Sequence, residues 1–415
     1  MGDGPKGDAT SGYPWIVSAD DHVVEAPNTW WDRLSRRDRE AGPRVVQDTC
    51  ATSTDPDTGT TSYAKGKNGP MTDWWIYDDW AKPVSRVVAC AGLPTTMHTP
   101  DPINYADMRP GCYDPVARVA DMKMNRTERS LCFPNIMRFC GQVFYEAKDK
   151  SLAMKCVVAY NDWMIDEWCG SSGGHLLPLC LIPLWDPVAA ALEIRRNASR
   201  GCRAITFPEM PSYLGLPSIF DPSGFWDPVF DACNETGTLL CMHIGSGSRL
   251  VDTSPFAPMA VILTMKHDIA QLSMTEWLCS GLLARYPALK IVYSESQLGW
   301  VPYILERIDK VYTHATYAEF PASITRPPST YMPGRVFATF FDDETGVRER
   351  EAVGVDQILF ETDYPHQDTT WPNTHLTVEK MAKVMSEDEL EKVLRTNALG
   401  MLGLPDGPVR PAAGP

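Results

Sequence analysis

The chain has 415 residues, 44% of them hydrophobic, and a formal net charge of −15, which allows two average domains or one large barrel with insertions. The acidic balance, with no basic patch to offset it, excludes nucleic acid and anionic membrane surfaces as partners. No apolar run approaches the roughly 20 residues that cross a bilayer, and the Gly-rich, acidic start has neither the charged nor the apolar region of a secretory signal. A soluble, cytoplasmic protein is therefore expected. The twelve cysteines include no CxxC pair, and Cys132, Cys180 and Cys241 sit inside apolar runs, where reduced cysteine behaves as a small hydrophobe.

Residues 1–14 are expected to be a disordered tail. The first strand reads WIVSADDH, residues 15–22. Side chains alternate along a strand, so Asp20 and His22 share a face on which they can grip one ion, while Asp21 points the other way. Residues 23–128 show no βα rhythm and are rich in Pro, Gly and aromatics, among them Trp30, Trp31, Trp74, Trp75, Tyr77 and Trp80. They read as an insertion forming a lid over the barrel mouth, with rings that either line an apolar pocket or pack the insertion onto the barrel.

From there strand-like segments recur at 129–135, 177–186, 203–208, 238–245, 289–296, 335–343 and 357–363. Helices are expected at 186–199, 224–235 and 270–285, after Gly299, and at 386–402, where Ser386 and Glu389 have capping-box spacing. With residues 15–22 the strands number eight, which predicts an α/β fold: a (β/α)8 TIM barrel with a long aromatic-rich insertion after strand 1, one domain over residues 15–402. Residues 403–415, rich in Pro and Gly, are expected to be a second disordered tail.

Such barrels carry function at the C-terminal ends of their strands. Those ends offer Asp20 and His22, His243, Glu295, Asp342 and Asp343, and Asp363 with His366 beyond it; Pro365 fixes the direction in which His366 leaves. Each has a structural alternative, His243 as a core histidine, Glu295 as a helix cap and Asp363 as a turn cap. His98, His175, His267, His314 and His375 fall in loops, in helices or at the opposite face and are read as structural. Carboxylates mixed with imidazoles, without thiolates, suit zinc, manganese or iron rather than calcium.

Asp20-x-His22, His243 in MHIG, the polar tip of strand 6 and Asp363 in ETDYPH resemble the amidohydrolase-related superfamily of metal-dependent TIM barrels, as do WDPVAAALEI, GCRAITFP, FDPSGFWDPVFDACNETG and TNALGML. The resemblance covers most of residues 15–402. It implies a metal held by Asp20, His22, His243 and Asp363, and either hydrolysis or nonoxidative decarboxylation. One departure stands out: Ser294-Glu295-Ser296 occupies the place of the superfamily's acid/base histidine, which removes the usual near-neutral proton shuttle. Glu295 and His366 enlarge the donor inventory to three carboxylates and three imidazoles, enough for two ions. DDH, SESxLGW and TDYPHxDxTWP are similar to a branch that includes the nonheme diiron monooxygenase of platensimycin and platencin biosynthesis.

That branch implies an oxidoreductase of antibiotic biosynthesis with two iron ions, dioxygen and a small, apolar, terpenoid-like substrate, with Glu295, Asp363 and His366 catalytic; this is the favoured expectation. The alternative is a metal-dependent hydrolase or nonoxidative decarboxylase with one zinc or manganese ion. A barrel that binds a ligand without chemistry is a third reading. The sequence is compatible with a homo-oligomer.

Overall fold

The computed structural model describes residues 12–249, 253–254, 256–407 and 409. Eight short strands form the barrel: β1 (Ile16–Val23), β2 (Thr127–Pro134), β3 (Leu176–Leu177 and Leu179–Cys180), β4 (Ala204–Thr206), β5 (Leu239–His243), β6 (Ile291–Ser294), β7 (Val336–Phe340) and β8 (Ile358–Phe360). Each pairs in parallel with the next. β3 is broken at Pro178, which has no N–H to give to the ladder. Beyond β8 the chain closes the ring against β1, the His22 amide donating to Tyr364 O at 2.7 Å and the Asp363 amide to Asp20 O at 3.3 Å.

The strands are short, nearly continuous apolar runs because both faces are covered. Val17, Ala19, Leu131, Phe133, Leu179, Leu239, Cys241, Val292 and Leu359 fill the interior, and Ala398, Leu399, Met401 and Leu402 join them. Those last four lie on the helix Asn397–Leu402, which plugs the N-terminal floor through Asn397 Nδ2 bonds to Val355 O and Ile358 O. Alternate residues such as Ile205, Leu240, Ile291, Val336 and Ile358 face outward into the core shared with the surrounding helices.

The helices start where local chemistry permits. Asp186 caps Pro187–Ala198, which has proline at its first position. Ser386 and Glu389 form the full capping box ahead of Glu387–Glu391. Several strands are shorter than expected. The third ends at Cys180, and β7 ends at Phe340 because Asp343 turns the chain, capping Glu344–Arg348 through Gly346 N at 2.8 Å.

The insertion contains more regular structure than a lid. Arg44–Thr54, Thr61–Lys65, Met71–Tyr77 and Trp80–Pro83 form a four-stranded antiparallel sheet, and the helix Pro115–Met124 returns the chain to β2. Asp78, at φ 49°, makes the tight turn between the last two of those strands. Trp30, Trp75 and Tyr77 are buried in a second core with the helix Lys150–Trp163, and Trp30 Nε1 donates to Cys156 O at 3.0 Å. Trp74 is buried as well, while Trp31 is 40% exposed. These rings pack the insertion against the flank of the barrel; the residues that reach the mouth come from its later part, where Cys90 N meets Pro365 O and Gln367 N meets Val87 O.

Of the two expected tails, residues 1–11, 408 and 410–415 lie outside the described residues. Leu404 packs on the barrel floor, and Asp406 pairs with Arg395 at 2.6 Å. All twelve cysteines are free thiols, eleven of them buried. Among the described residues no helix is long and apolar enough to cross a membrane.

Candidate metal centre

Strict alternation from Val17 and Ala19, which face the barrel interior, would send Asp20 and His22 outward. The β1–β2 register slips between Ser18 and Asp21, and this irregularity re-aims the strand end. Asp20 and His22 converge, with His22 Nε2 3.7 Å from Asp20 Oδ1. Asp21 turns away and accepts from Ser18 Oγ (3.0 Å), Thr362 Oγ1 (2.6 Å), Tyr364 N (3.1 Å) and Ser130 Oγ. It ties β1 to β2 and to the loop after β8. Buried Arg118 holds the same strand end by donating to His22 O.

His243 is the last residue of β5. Its Nδ1–H donates to Ile244 O at 2.7 Å, which leaves the Nε2 lone pair facing the mouth. His366 is fixed the opposite way round: Nε2–H donates to Asn135 Oδ1 at 2.9 Å and Nδ1 faces inward. Its ring stacks on His22 with centroids 3.5 Å apart. Glu295 and Asp363 both adopt left-handed backbone, at φ 51° and 50°, a conformation of order 1–3 kcal/mol that persists where the surroundings over-determine it. For Glu295 those surroundings are Thr339 Oγ1 and Glu361 Oε2 on its amide, at 3.0 and 3.1 Å, and His267 Nδ1 on its carbonyl at 2.7 Å.

Six donors thus meet in one place. His22 Nε2 lies 3.1 Å from His243 Nε2 and 3.3 Å from Asp363 Oδ1. Glu295 Oε1 is 3.2 Å from His243 Nε2 and 3.5 Å from His366 Nδ1, while His366 Nδ1 is 3.2 Å from Asp363 Oδ1. Two donors at right angles around an ion about 2.1 Å from each lie roughly 3 Å apart, so these spacings fit a coordination shell. The four oxygens of Asp20 and Asp363 are buried without any hydrogen-bond partner, as expected of groups built to face a cation.

Burial, and after it the charges of Glu361, Glu295 and Asp363, push the Asp20 carboxyl well above the usual range. Burial and Glu295 do the same to Asp363. Burial also opposes ionisation of Glu295, yet His243, His22 and His366 hold its carboxyl well below the usual value. The His22 imidazole is lowered by burial and by neighbouring His366. Burial alone would lower His366 too, but Asp363 and Glu295 push it up to about 9.

A pH dependence follows for metal-free protein. The His366 contribution to stability is fully present below its unfolded value of about 6.5 and is lost as pH rises through about 9. The raised carboxyls of Asp20 and Asp363 act with the same sign from about pH 4 upward. The unfolding free energy of chelator-treated protein, from urea titrations, should therefore fall between pH 6.5 and 9 by on the order of 3 kcal/mol. A flat or rising profile would contradict the geometry.

The donors form two groups, Asp20-His22-His243 and His22-Glu295-Asp363-His366, that share His22. An imidazole nitrogen has one lone pair and serves one ion. The shared imidazole therefore serves one group or the other, and the expectation of two iron ions is left without support. Asp342 and Asp343 lie elsewhere, Asp342 paired with Lys380 at 3.0 Å and Asp343 capping a helix.

Three neighbours were not singled out from sequence. Glu361 is fully buried, and burial and Glu295 push its carboxyl well above the usual range; its place two residues before Asp363, on the same face of an extended strand, was a usable signal. Asn135 stands at the tip of β2. Lys266, which ion-pairs with Asp368 at 2.7 Å and lies 3.6 Å from Glu295, has no local signal at all. The centre opens into a cavity of about 210 Å³ whose walls include Val87, Val88, Phe139 and Ile244, together with Lys266.

Comparison with known proteins places this geometry in a wider setting. The chain is 25% identical over 282 residues to a gamma-resorcylate decarboxylase of Rhizobium radiobacter, covering 60% of this chain and 76% of that protein. The crystal structure of an amidohydrolase from Mycobacterium avium subsp. paratuberculosis K-10 matches with a TM-score of 0.62 at 21% identity, over 95% of this chain and all of that one. A 5-carboxyvanillate decarboxylase from Novosphingobium aromaticivorans, solved with bound manganese and 3-methoxy-4-hydroxy-5-nitrobenzoic acid, matches with a TM-score of 0.57 at 19% identity, over 69% of this chain and 80% of that one. Two of these three are decarboxylases, which are lyases. The favoured oxidoreductase expectation is corrected accordingly, and with it the monooxygenase branch and dioxygen as a partner. The amidohydrolase family model matches residues 78–404, from the antiparallel sheet of the insertion through the helix that plugs the barrel floor, and the chain belongs to the amidohydrolase family.

Proposed function

We propose that the protein is a metal-dependent, nonoxidative decarboxylase of small aromatic carboxylic acids, working with one manganese or zinc ion held by Asp20, His22, His243 and Asp363, with Glu295 and His366 completing the donor set. The observation that carries this reading is the meeting of these six side chains, in two groups that share His22, at the head of a partly apolar cavity. The decarboxylases among its relatives support the reaction class and the aromatic acid.

Decarboxylation exchanges carbon dioxide for a proton on a ring carbon. A bound divalent ion supplies a Lewis acid that holds and polarises a substrate oxygen. Phe139, Val87, Val88 and Ile244 offer the ring an apolar wall and keep water from it. Proton delivery falls to Asp363, because strand 6 carries Glu295 in place of a near-neutral imidazole and Glu295 is held ionised. His366, locked by Asn135, stays oriented toward the Asp363 carboxyl as the reaction proceeds.

The test is turnover of a panel of hydroxybenzoates by manganese-reconstituted protein under strict anaerobiosis, following carbon dioxide and, in heavy water, deuterium at the vacated carbon. Equal rates with and without air are expected. A requirement for dioxygen, or release of an amine or alcohol from an amide or ester without carbon dioxide, would replace this reading with another.

A further inference from the structure

Among the described residues lining the cavity, Lys266 is the one lysine or arginine. It follows the helix Met259–Met265 directly and precedes the helix Asp268–Cys279. Its neighbour His267 is bonded to Glu295 O at 2.7 Å, which fixes the backbone from which Lys266 projects. The side chain is 16% exposed, so its ammonium is neither a solvated surface charge nor sealed in the core.

An ammonium has three N–H donors. One goes to Asp368 Oδ2 at 2.7 Å. Glu295 Oε2, at 3.6 Å, attracts the charge but is too far to accept a hydrogen bond. Glu295 stands between the two halves of the site, Oε1 turned to the three imidazoles and Oε2 to Lys266. An anionic oxygen entering the cavity beside the metal position therefore comes within reach of the remaining ammonium donors, in a partly desolvated setting where a charged hydrogen bond is strong.

We infer that Lys266 is the specificity-determining residue for the substrate, the cation that recognises an anionic oxygen of the aromatic acid. This rests on the reading of the site as one for aromatic acids. The ion pair with Asp368 orients the ammonium, and the apolar wall receives the ring.

The experiment measures binding of benzoate, benzamide and a nitrophenolate to manganese-loaded wild-type protein and to Lys266→Met and Lys266→Arg, by calorimetry, with metal content and thermal midpoint determined on each preparation. In Lys266→Met the dissociation constant for benzoate should rise roughly 10- to 100-fold, benzamide should bind as before, and Lys266→Arg should recover most of the loss. Loss for benzoate alone assigns the carboxylate as the recognised group, and loss for nitrophenolate alone assigns the ring oxygen. If benzoate, benzamide and nitrophenolate all weaken equally, or none of the three changes, or the only effect is lost metal or a lower midpoint, Lys266 merely neutralises Glu295 and Asp368 and the inference is overturned. Failure of the decarboxylase reading looks different: wild-type protein then releases no carbon dioxide from any hydroxybenzoate, whatever the binding data show.

Discussion

Asp363→Asn should stop turnover and leave the fold in place. The substitution keeps the shape of the side chain, and asparagine tolerates the left-handed backbone that Asp363 adopts at φ 50°. What disappears is the charge and the proton. The group is fully buried and its oxygens bond no scaffold atom; its close neighbours are the imidazoles of His22 and His366, at 3.3 and 3.2 Å, so the barrel does not depend on its charge. A lost proton donor lowers kcat by roughly 10²- to 10⁴-fold, and excess manganese should not restore it. The metal-free variant should also lose most of the fall in stability between pH 6.5 and 9, because Asp363 is the first of the groups that push His366 up to about 9. Rates, metal content and urea midpoints on the same preparations check all three. A variant within tenfold of the wild-type rate would remove Asp363 from the chemistry, and one that recovers fully with added manganese would reduce it to a ligand.

How far such residues were legible in the sequence depends on whether their position is a local property. Apolar runs such as Ile358–Phe360 and Leu239–His243, each ending in chemistry-bearing residues, are local signals, and the eight strands follow from their spacing. Asp20 and His22 share a face by alternation, yet reach the mouth only through a register slip that no pattern of residues 15–22 announces. The antiparallel sheet of the insertion is hidden for a related reason. Its strands have partners such as Val46 and Trp74, whose pairing is decided by tertiary packing, and the lack of a βα rhythm gives no sign of them. Lys266 is set beside Glu295 by His267, a contact across 28 positions of chain. The number of ions was the hardest to read, since composition counts donors whereas their sharing of His22 is a matter of distance.

Glu295→Gln bears on that number and on the departure from the family's strand-6 histidine. The backbone at Glu295 is held by three hydrogen bonds that do not involve its own side chain, so the variant should fold. It caps no helix: Val301–His314 begins at Trp300 without a side-chain cap. The carboxylate instead lies within 3.2–3.6 Å of three imidazole nitrogens, where its charge draws a dication into the centre. The amide keeps the length and one acceptor oxygen but no charge, so metal affinity should fall roughly 10- to 100-fold. Dialysed protein should then hold less than one ion per chain, and turnover should return close to wild type when manganese is added in excess. A general acid or base would behave in the opposite way, with metal content intact and kcat reduced roughly 10²- to 10⁴-fold beyond rescue. Because His22, His243 and His366 together hold Glu295 ionised, it has no proton to give near neutral pH, and loss of the ion rather than loss of a shuttle is the expected result.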